Sequence, residues 1–245
     1  MITISLYNIK GGVGKTASCV NFAAMAARDG YRTLLWDLDP QGASSFYYKA
    51  IAKKGGAKKL ISHDLTVDEV IMDTDYEGLD IIPADLSARK MDALLSEQGG
   101  SKKQLKNLLK DVAYNYDFVF IDCPPVFSVL ADNIFQASDI VLMPVIPTTL
   151  SVRTYEIVKA YFIGKGYPDK LMCFYSMVDS RKSMHETTME ILHKDLRFFE
   201  HYIPYLSDIE KMGIHQAPLE GFAKNSYAAT CYHGLWDEIK EGVLE

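Results

Sequence analysis

Lys10-Gly11-Gly12-Val13-Gly14-Lys15-Thr16 separates a short apolar run, Ile2–Tyr7, from a stretch of helical periodicity running from about Lys15 to Asp29. Glycines let a backbone turn so that successive N–H groups face one point, which is what a phosphate group requires. The N-terminus of the helix that follows adds partial positive charge at the same point. Lys15 supplies a full charge for β- and γ-phosphates, and the Thr16 hydroxyl suits a magnesium ion. The common phosphate-loop pattern would place glycine at position 9, where this chain has Ile9. Instead it carries a second lysine, Lys10, whose repulsion with Lys15 calls for compensating anionic charge. A phosphate held by another subunit would provide it.

Outward from this loop the chain alternates apolar runs with amphipathic stretches. Thr33–Leu38, Leu79–Ile82, Phe118–Ile121, Ile140–Val145 and Leu171–Met177 read as buried strands, with helical segments between most of them. Near-continuous apolar strands joined through helices predict an α/β fold: a doubly wound, mostly parallel sheet with helices on both faces. Neither an internal repeat nor a long Pro/Ser linker interrupts the pattern, so residues 1–245 read as one domain. Residues 49–59, with five lysines, read as an exposed insertion. The stretch 228–245 reads as a closing helix that packs through Tyr232, Leu235, Trp236 and Ile239.

The composition is that of an ordinary globular protein: 245 residues, 48% hydrophobic, 24% charged, net charge −6. A uniformly basic nucleic-acid binder is excluded, but a local basic patch is not. Residues 1–60 hold nine Lys/Arg against three Asp/Glu, and the remainder of the chain is acidic. Cys19, Cys123, Cys173 and Cys231 form no CxxC pair, which argues against a disulfide framework or zinc knuckle and for a reducing, cytoplasmic setting. No secretory signal is expected at the start, and no stretch reaches the ~18 apolar residues of a membrane span.

Three carboxylates join the loop. Leu34-Leu35-Trp36-Asp37-Leu38-Asp39 places two at the C-terminal end of a strand, and Phe118-Val119-Phe120-Ile121-Asp122 places a third. Ligands of open parallel sheets bind at the carboxyl ends of strands. Asp122 is placed to hold a magnesium shell through water, and either Asp37 or Asp39 to orient an attacking water.

Together these residues resemble the ParA/MinD family of deviant Walker A ATPases, in its ParA-like branch. KGGVGKT at 10–16 matches the family loop with its signature lysine, DLDPQG at 37–42 matches the second motif, and FVFIDCPP at 118–125 matches the Walker B strand. Fainter likeness extends to Ile81-Ile82-Pro83-Ala84, 140–147, Ile203-Pro204 and Ala217-Pro218, so the resemblance covers nearly the whole chain. It implies a sheet of about seven or eight strands and a homodimer that sandwiches two ATP molecules with Mg²⁺. It implies that Gly11, Gly12, Val13, Gly14, Lys15, Thr16 and Ala17 bind phosphate. By the same resemblance Thr16, Asp37 and Asp122 form the magnesium environment, Asp39 positions the hydrolytic water, and Lys10 reaches the partner's phosphates. Adenine is expected near Met177, Pro204 and Tyr205; Ser176 and Tyr205 stand where the family often carries Asn, or Arg or Asn.

Within the family, the absence of an N-terminal helix-turn-helix and the acidic closing helix point away from the operator-binding and membrane-targeting types. The expectation is a short positioning ATPase, cytoplasmic and nucleoid-associated, without a membrane. It would hydrolyse ATP slowly, bind DNA nonspecifically as the ATP dimer, and be released by a ParB-like or cargo-adaptor protein. Phosphate contacts suffice for such binding. The candidates are Arg181, Lys182, Lys194, Arg197, Lys211 and Lys224, with the lysines of 49–59 as a second set. The alternatives are an ATP-switched regulator that docks a protein partner without DNA, and a metabolic ligase or transferase on the same fold.

Overall fold

The apolar run that opens the chain becomes the middle of a sheet. The computed structural model describes residues 1–52, 55–97 and 102–244. Its strands are β1 (Ile2–Leu6), β2 (Thr33–Asp37), β3 (Met72–Asp73), β4 (Leu79–Ile82), β5 (Phe118–Asp122), β6 (Ile140–Val145), β7 (Leu171–Val178) and β8 (Ile203–Pro204). They form one eight-stranded sheet in the order β3-β4-β2-β5-β1-β6-β7-β8. Every neighbouring pair is parallel except β3 with β4. The expected doubly wound, mostly parallel sheet is therefore present. The two-residue strands β3 and β8 were not expected.

The helices are α1 (Lys15–Arg28), α2 (Ala43–Tyr47), α3 (Gly56–Ile61), α4 (Met91–Glu97), α5 (Gln104–Lys110), α6 (Val129–Ala137), α7 (Thr149–Gly164), α8 (Ser183–Leu192), α9 (Ser207–His215), α10 (Leu219–Phe222) and α11 (Tyr227–Leu244). Period-two alternation distributes each strand between two cores. Phe118 and Phe120 of β5 join Ile4, Leu6, Phe22 and Trp236 on one face. Val119 and Ile121 join Leu34, Trp36, Leu105 and Ile134 on the other. A strand buried on both faces has no polar side, which is why these runs read as continuously apolar.

α1 is rich in alanine, the strongest helix former, and is buried nearly throughout. It stops where Gly30 takes φ +90° and the Gly30 and Tyr31 N–H groups donate to Ala27 O and Ala26 O. α11 closes the structure as expected. Tyr232, Leu235, Trp236 and Ile239 are all buried, and Trp236 lies against Phe22, Phe118 and Phe120. Its indole N–H donates to Asp29 Oδ2 at 3.0 Å, which ties the end of α1 to α11.

The lysine-rich segment is not simply an exposed insertion. Gly56–Ile61 forms α3, with Leu60 and Ile61 buried and Lys58 and Lys59 exposed. Two apolar residues beside the lysines have a core to reach, and a helix presents both groups to their proper side. Lys53 and Lys54 of that segment, and Glu245 of the closing helix, lie outside the described residues. The four cysteines are free, and three of them are buried.

Candidate functional site

The glycine loop leaves β1 and enters α1 at the carboxyl end of the sheet. Gly12 and Gly14 have φ of +69° and +90°, the left-handed region that side chains disfavour. Gly14 is confined a second way: a Cβ there would lie 2.7 Å from Ser176 Oγ. Gly14→Ala is expected to destabilise the chain by about 2 kcal/mol, from backbone strain plus the clash. Denaturant titration checks it, and adding Ser176→Ala should recover the clash portion only.

Each lysine of the loop has its own holder. Asn8 accepts the Lys10 N–H at 2.9 Å and donates to Pro144 O at 2.9 Å, which fixes the start of the loop to β6. Lys10 Nζ donates to Ser151 Oγ at 3.1 Å, in the first turn of α7. Lys15 Nζ donates back to Lys10 O at 3.0 Å. Lys15 is buried, which lowers its pKa, while the charges of Asp122, Cys123 and Asp39 act in the opposite direction.

Asp37 and Asp122 are register partners at the ends of β2 and β5, so the two carboxylates are neighbours. Asp37 accepts the Ser45 N–H at 2.8 Å, the Ser45 hydroxyl at 2.7 Å and the Asp39 N–H at 3.2 Å. Asp122 is fully buried, and its Oδ2 accepts the Ser44 hydroxyl at 2.8 Å. Its Oδ1 has no hydrogen-bond partner among the described residues. Burial raises the pKa of both acids; the charge of Asp37 adds to it at Asp122 and the charge of Asp39 adds to it at Asp37, while the Ser44 and Thr16 hydroxyls and Lys15 pull Asp122 back down. An orphaned carboxylate oxygen beside a threonine hydroxyl is a donor set that fits a hard cation such as Mg²⁺. Asp39 is half-buried in the following loop and accepts the Gln41 N–H at 2.9 Å.

The residues expected around the base do come together. Gly12, Gly14, Ala17, Ser176, Met177, Pro204 and Tyr205 line one cavity of about 180 Å³, with Leu206, Ile209, Glu210 and Tyr232. A register shift between β7 and β8 leaves Met177 at φ +54°, and Tyr205 donates to Glu210 at 2.6 Å. Sequence reasoning did not single out Asn8, Ser44, Ser45, Ser151 or Glu210, and it read Tyr232 only as a packing residue of the closing helix. Ser44 and Ser45 directly follow DLDPQG and were within its reach; Ser151 reaches Lys10 across 141 positions and carried no local signal.

The six basic candidates are exposed or half-buried, and four are already engaged. Arg181 and Lys182 share Asp179 at 2.8 and 3.8 Å, Arg197 pairs with Asp195 at 3.1 Å, and Lys211 with Asp208 at 2.9 Å. Lys194 and Lys224 are exposed and have no ion pair among the described residues.

The comparisons with known proteins support the family and the fold. The AAA_31 family model, an AAA domain, matches residues 1–161. The sporulation initiation inhibitor protein Soj of Bacillus subtilis is 38% identical over 144 residues, covering 58% of this chain and 57% of the relative. The chromosome-partitioning ATPase Soj of Treponema pallidum is 29% identical over 244 residues, 94% of this chain and 91% of the relative. The chain spans about half the length of the first curated relatives it matches, between 50% and 57%. A plasmid partition protein of Borrelia burgdorferi bound to AMPPNP has the same fold, with a TM-score of 0.86, 22% identity and 99% of each chain covered. The chain belongs to the AAA_31 family, and the lysine at the head of its loop places it among the ParA/MinD P-loop ATPases.

Proposed function

We propose that the chain is an ATP-hydrolysing positioning protein of the ParA type. The observation that carries this reading is the pairing of a two-lysine glycine loop with the buried Asp37/Asp122 pair, whose one orphaned oxygen lies in the sheet end that receives the loop. In this reading the N–H groups of Gly11, Gly12, Val13, Gly14 and Ala17 cradle phosphate oxygens, and Lys15 leaves Lys10 O to meet them. Thr16, Asp37 and Asp122 hold Mg²⁺, which would neutralise charge on the phosphates and on both carboxylates. Met177, Pro204 and Tyr205 enclose the adenine. Asp39 holds the attacking water, and Lys10 leaves Ser151 to reach the phosphate of a second subunit in a homodimer that sandwiches two nucleotides. Asp39→Ala should slow turnover by at least ~100-fold while ATP-dependent dimers persist; phosphate release and light scattering, measured side by side, check both halves.

The ATP dimer then binds DNA without sequence preference, on the nucleoid in the cytoplasm, until a ParB-like or cargo-adaptor partner stimulates hydrolysis. None of the described helices is long and apolar enough to cross a membrane. Because four of the six cations are paired within the chain, the dimer offers about four uncommitted charges, and log K should fall with log salt at a slope of roughly −3 to −4. Retention of DNA in low salt with ATP, and not with ADP, is expected, as is its loss in Lys194→Glu/Lys224→Glu. Equal or absent retention in the two nucleotide states would remove DNA from the proposal. It would leave the second reading that the ion pairs favour, an ATP-switched regulator docking a protein.

A further inference from the structure

A cavity of about 880 Å³ lies at the β7–β8 edge of the sheet, walled by α8, the 193–202 segment and Glu238 of α11. No residue of the glycine loop lines it. Its floor is aromatic: Tyr175 stacks on Phe198 with ring centroids 4.5 Å apart. Leu196 stands at its wall, 92% exposed. A concave pocket with an apolar floor and an exposed leucine at its wall has room for an apolar side chain.

The rim is acidic, and its charges are unequally committed. Asp195 is held by Lys159 at 2.8 Å, by Arg197 and by the Tyr155 hydroxyl. Glu238 accepts the N–H groups of Glu200 and His201 and pairs with the His201 ring. Glu186, Glu190 and Glu200 have no cationic partner among the described residues. Glu186 and Glu190 are one helical turn apart on α8, where like charges oppose each other and disfavour the helix. A cationic ligand would reverse the sign of that interaction.

A second observation narrows the chemistry of the ligand. His185, which also lines the cavity, is 2% exposed. Its Nδ1 accepts the Asp179 N–H at 3.1 Å, so the neutral ring carries its proton on Nε2. That donor has no hydrogen-bond partner among the described residues. A polyamine has cations and no acceptor to offer it. A nucleic acid has acceptors, but its phosphates would meet five carboxylates. A peptide has all three requirements: backbone carbonyls, Lys or Arg, and apolar side chains.

We propose that this groove docks a basic amphipathic segment of a partner protein. Its cations pair with Glu186, Glu190 and Glu200, an apolar side chain covers Tyr175 and Phe198, and a backbone carbonyl accepts from His185 Nε2. The proposal is independent of the nucleotide reading, since the groove is lined within one chain and by no residue of the glycine loop.

The test uses the full chain without nucleotide and a fluorescein-labelled 14-residue peptide with Lys and Leu at helical spacing, followed by anisotropy in 50 mM salt. Saturable binding is expected. Glu186→Gln/Glu190→Gln should weaken it at least ~10-fold and His185→Leu about threefold, with further weakening at 300 mM salt. Asp73→Asn/Glu77→Gln, which neutralises exposed charge at the opposite end of the sheet, should leave it unchanged. Equal weakening by that control pair would show attraction to net charge alone and overturn the proposal. So would binding that ignores the α8 substitutions, equal binding of a peptide with Glu in place of Lys, or full displacement by an equimolar amount of spermidine. A dimer that forms without peptide and is altered by Glu186→Gln/Glu190→Gln would make a second copy the occupant, and would overturn it as well.

Discussion

Asp122→Asn is expected to stabilise the nucleotide-free chain by about 2 kcal/mol at pH 8 while reducing ATP turnover by at least ~100-fold. The two effects share one cause. A carboxylate with no exposure, one oxygen without a partner among the described residues and an acidic neighbour in register has its pKa raised by burial first and by Asp37 second. Its folded value therefore lies above the unfolded value of about 4. Below the unfolded value both states hold the proton, and the group makes no difference. Between the two values the unfolded chain has released the proton and the folded chain retains it, so stability falls as pH rises. Above the folded value the loss is complete. The amide has no charge to bury, so the gain should be largest at pH 8 and shrink towards pH 4. Urea denaturation at the two pH values, without Mg²⁺, measures it. A variant less stable than the parent at both would show that Asp122 supports the fold and is not a strained ligand. Turnover falls because the amide is a weak magnesium ligand and leaves Lys15 without its nearest buried anion.

The second large effect concerns Lys10. In one chain its ammonium rests on Ser151 Oγ, away from Lys15, and the Lys10 backbone carbonyl is what holds Lys15 Nζ. Lys10→Ala retains that carbonyl. Nucleotide affinity of the single chain should therefore stay within about threefold of the parent. Turnover should drop by ~100-fold or more, as when a charge supplied across an interface is removed from phosphoryl transfer. ATP-dependent dimers should disappear with it. Ser151→Ala, which removes the resting contact and the Thr148 hydroxyl's bond to the same oxygen, should leave turnover within about threefold. Stopped-flow binding with a fluorescent ATP analogue, together with sedimentation, separates these outcomes. A Lys10→Ala chain that binds, dimerises and turns over normally would place the extra lysine outside the chemistry.

The central fold and the phosphate end of the site were legible because both depend on local pattern. Six apolar runs became six strands, since a strand buried on both faces must be apolar throughout. Loop and carboxylates occupy fixed positions relative to strand ends, so naming the strands located them. β3 and β8 escaped because two residues carry no periodicity and owe their form to a neighbour already in place. α3 was hidden by its lysines: composition weighs five charges, whereas folding responds to Leu60 and Ile61. Ser151 gains its role from a contact across 141 positions, which no window of sequence displays. The ion pairs that occupy Arg181, Lys182, Arg197 and Lys211 are a different case. Asp179, Asp195 and Asp208 stand two or three positions before those cations, so their neutralisation was readable at short range.

The central place of β1 also sets a timetable. Its parallel partners are β5, whose pairing begins Ile2 with Phe118, and β6, which begins Ile4 with Ile140. The strand thus waits for more than half of the chain before both its neighbours exist. At ribosomal speeds of ~5–20 residues per second, this apolar segment waits roughly 6–27 s for its neighbours. Until then the glycine loop has no β5 carboxylate beside it and no β7 wall. ATP therefore has no site to bind on the nascent chain, and the nucleotide cannot guide the early steps of folding. The interval is instead one of exposed apolar surface, when a chaperone has the most to hold.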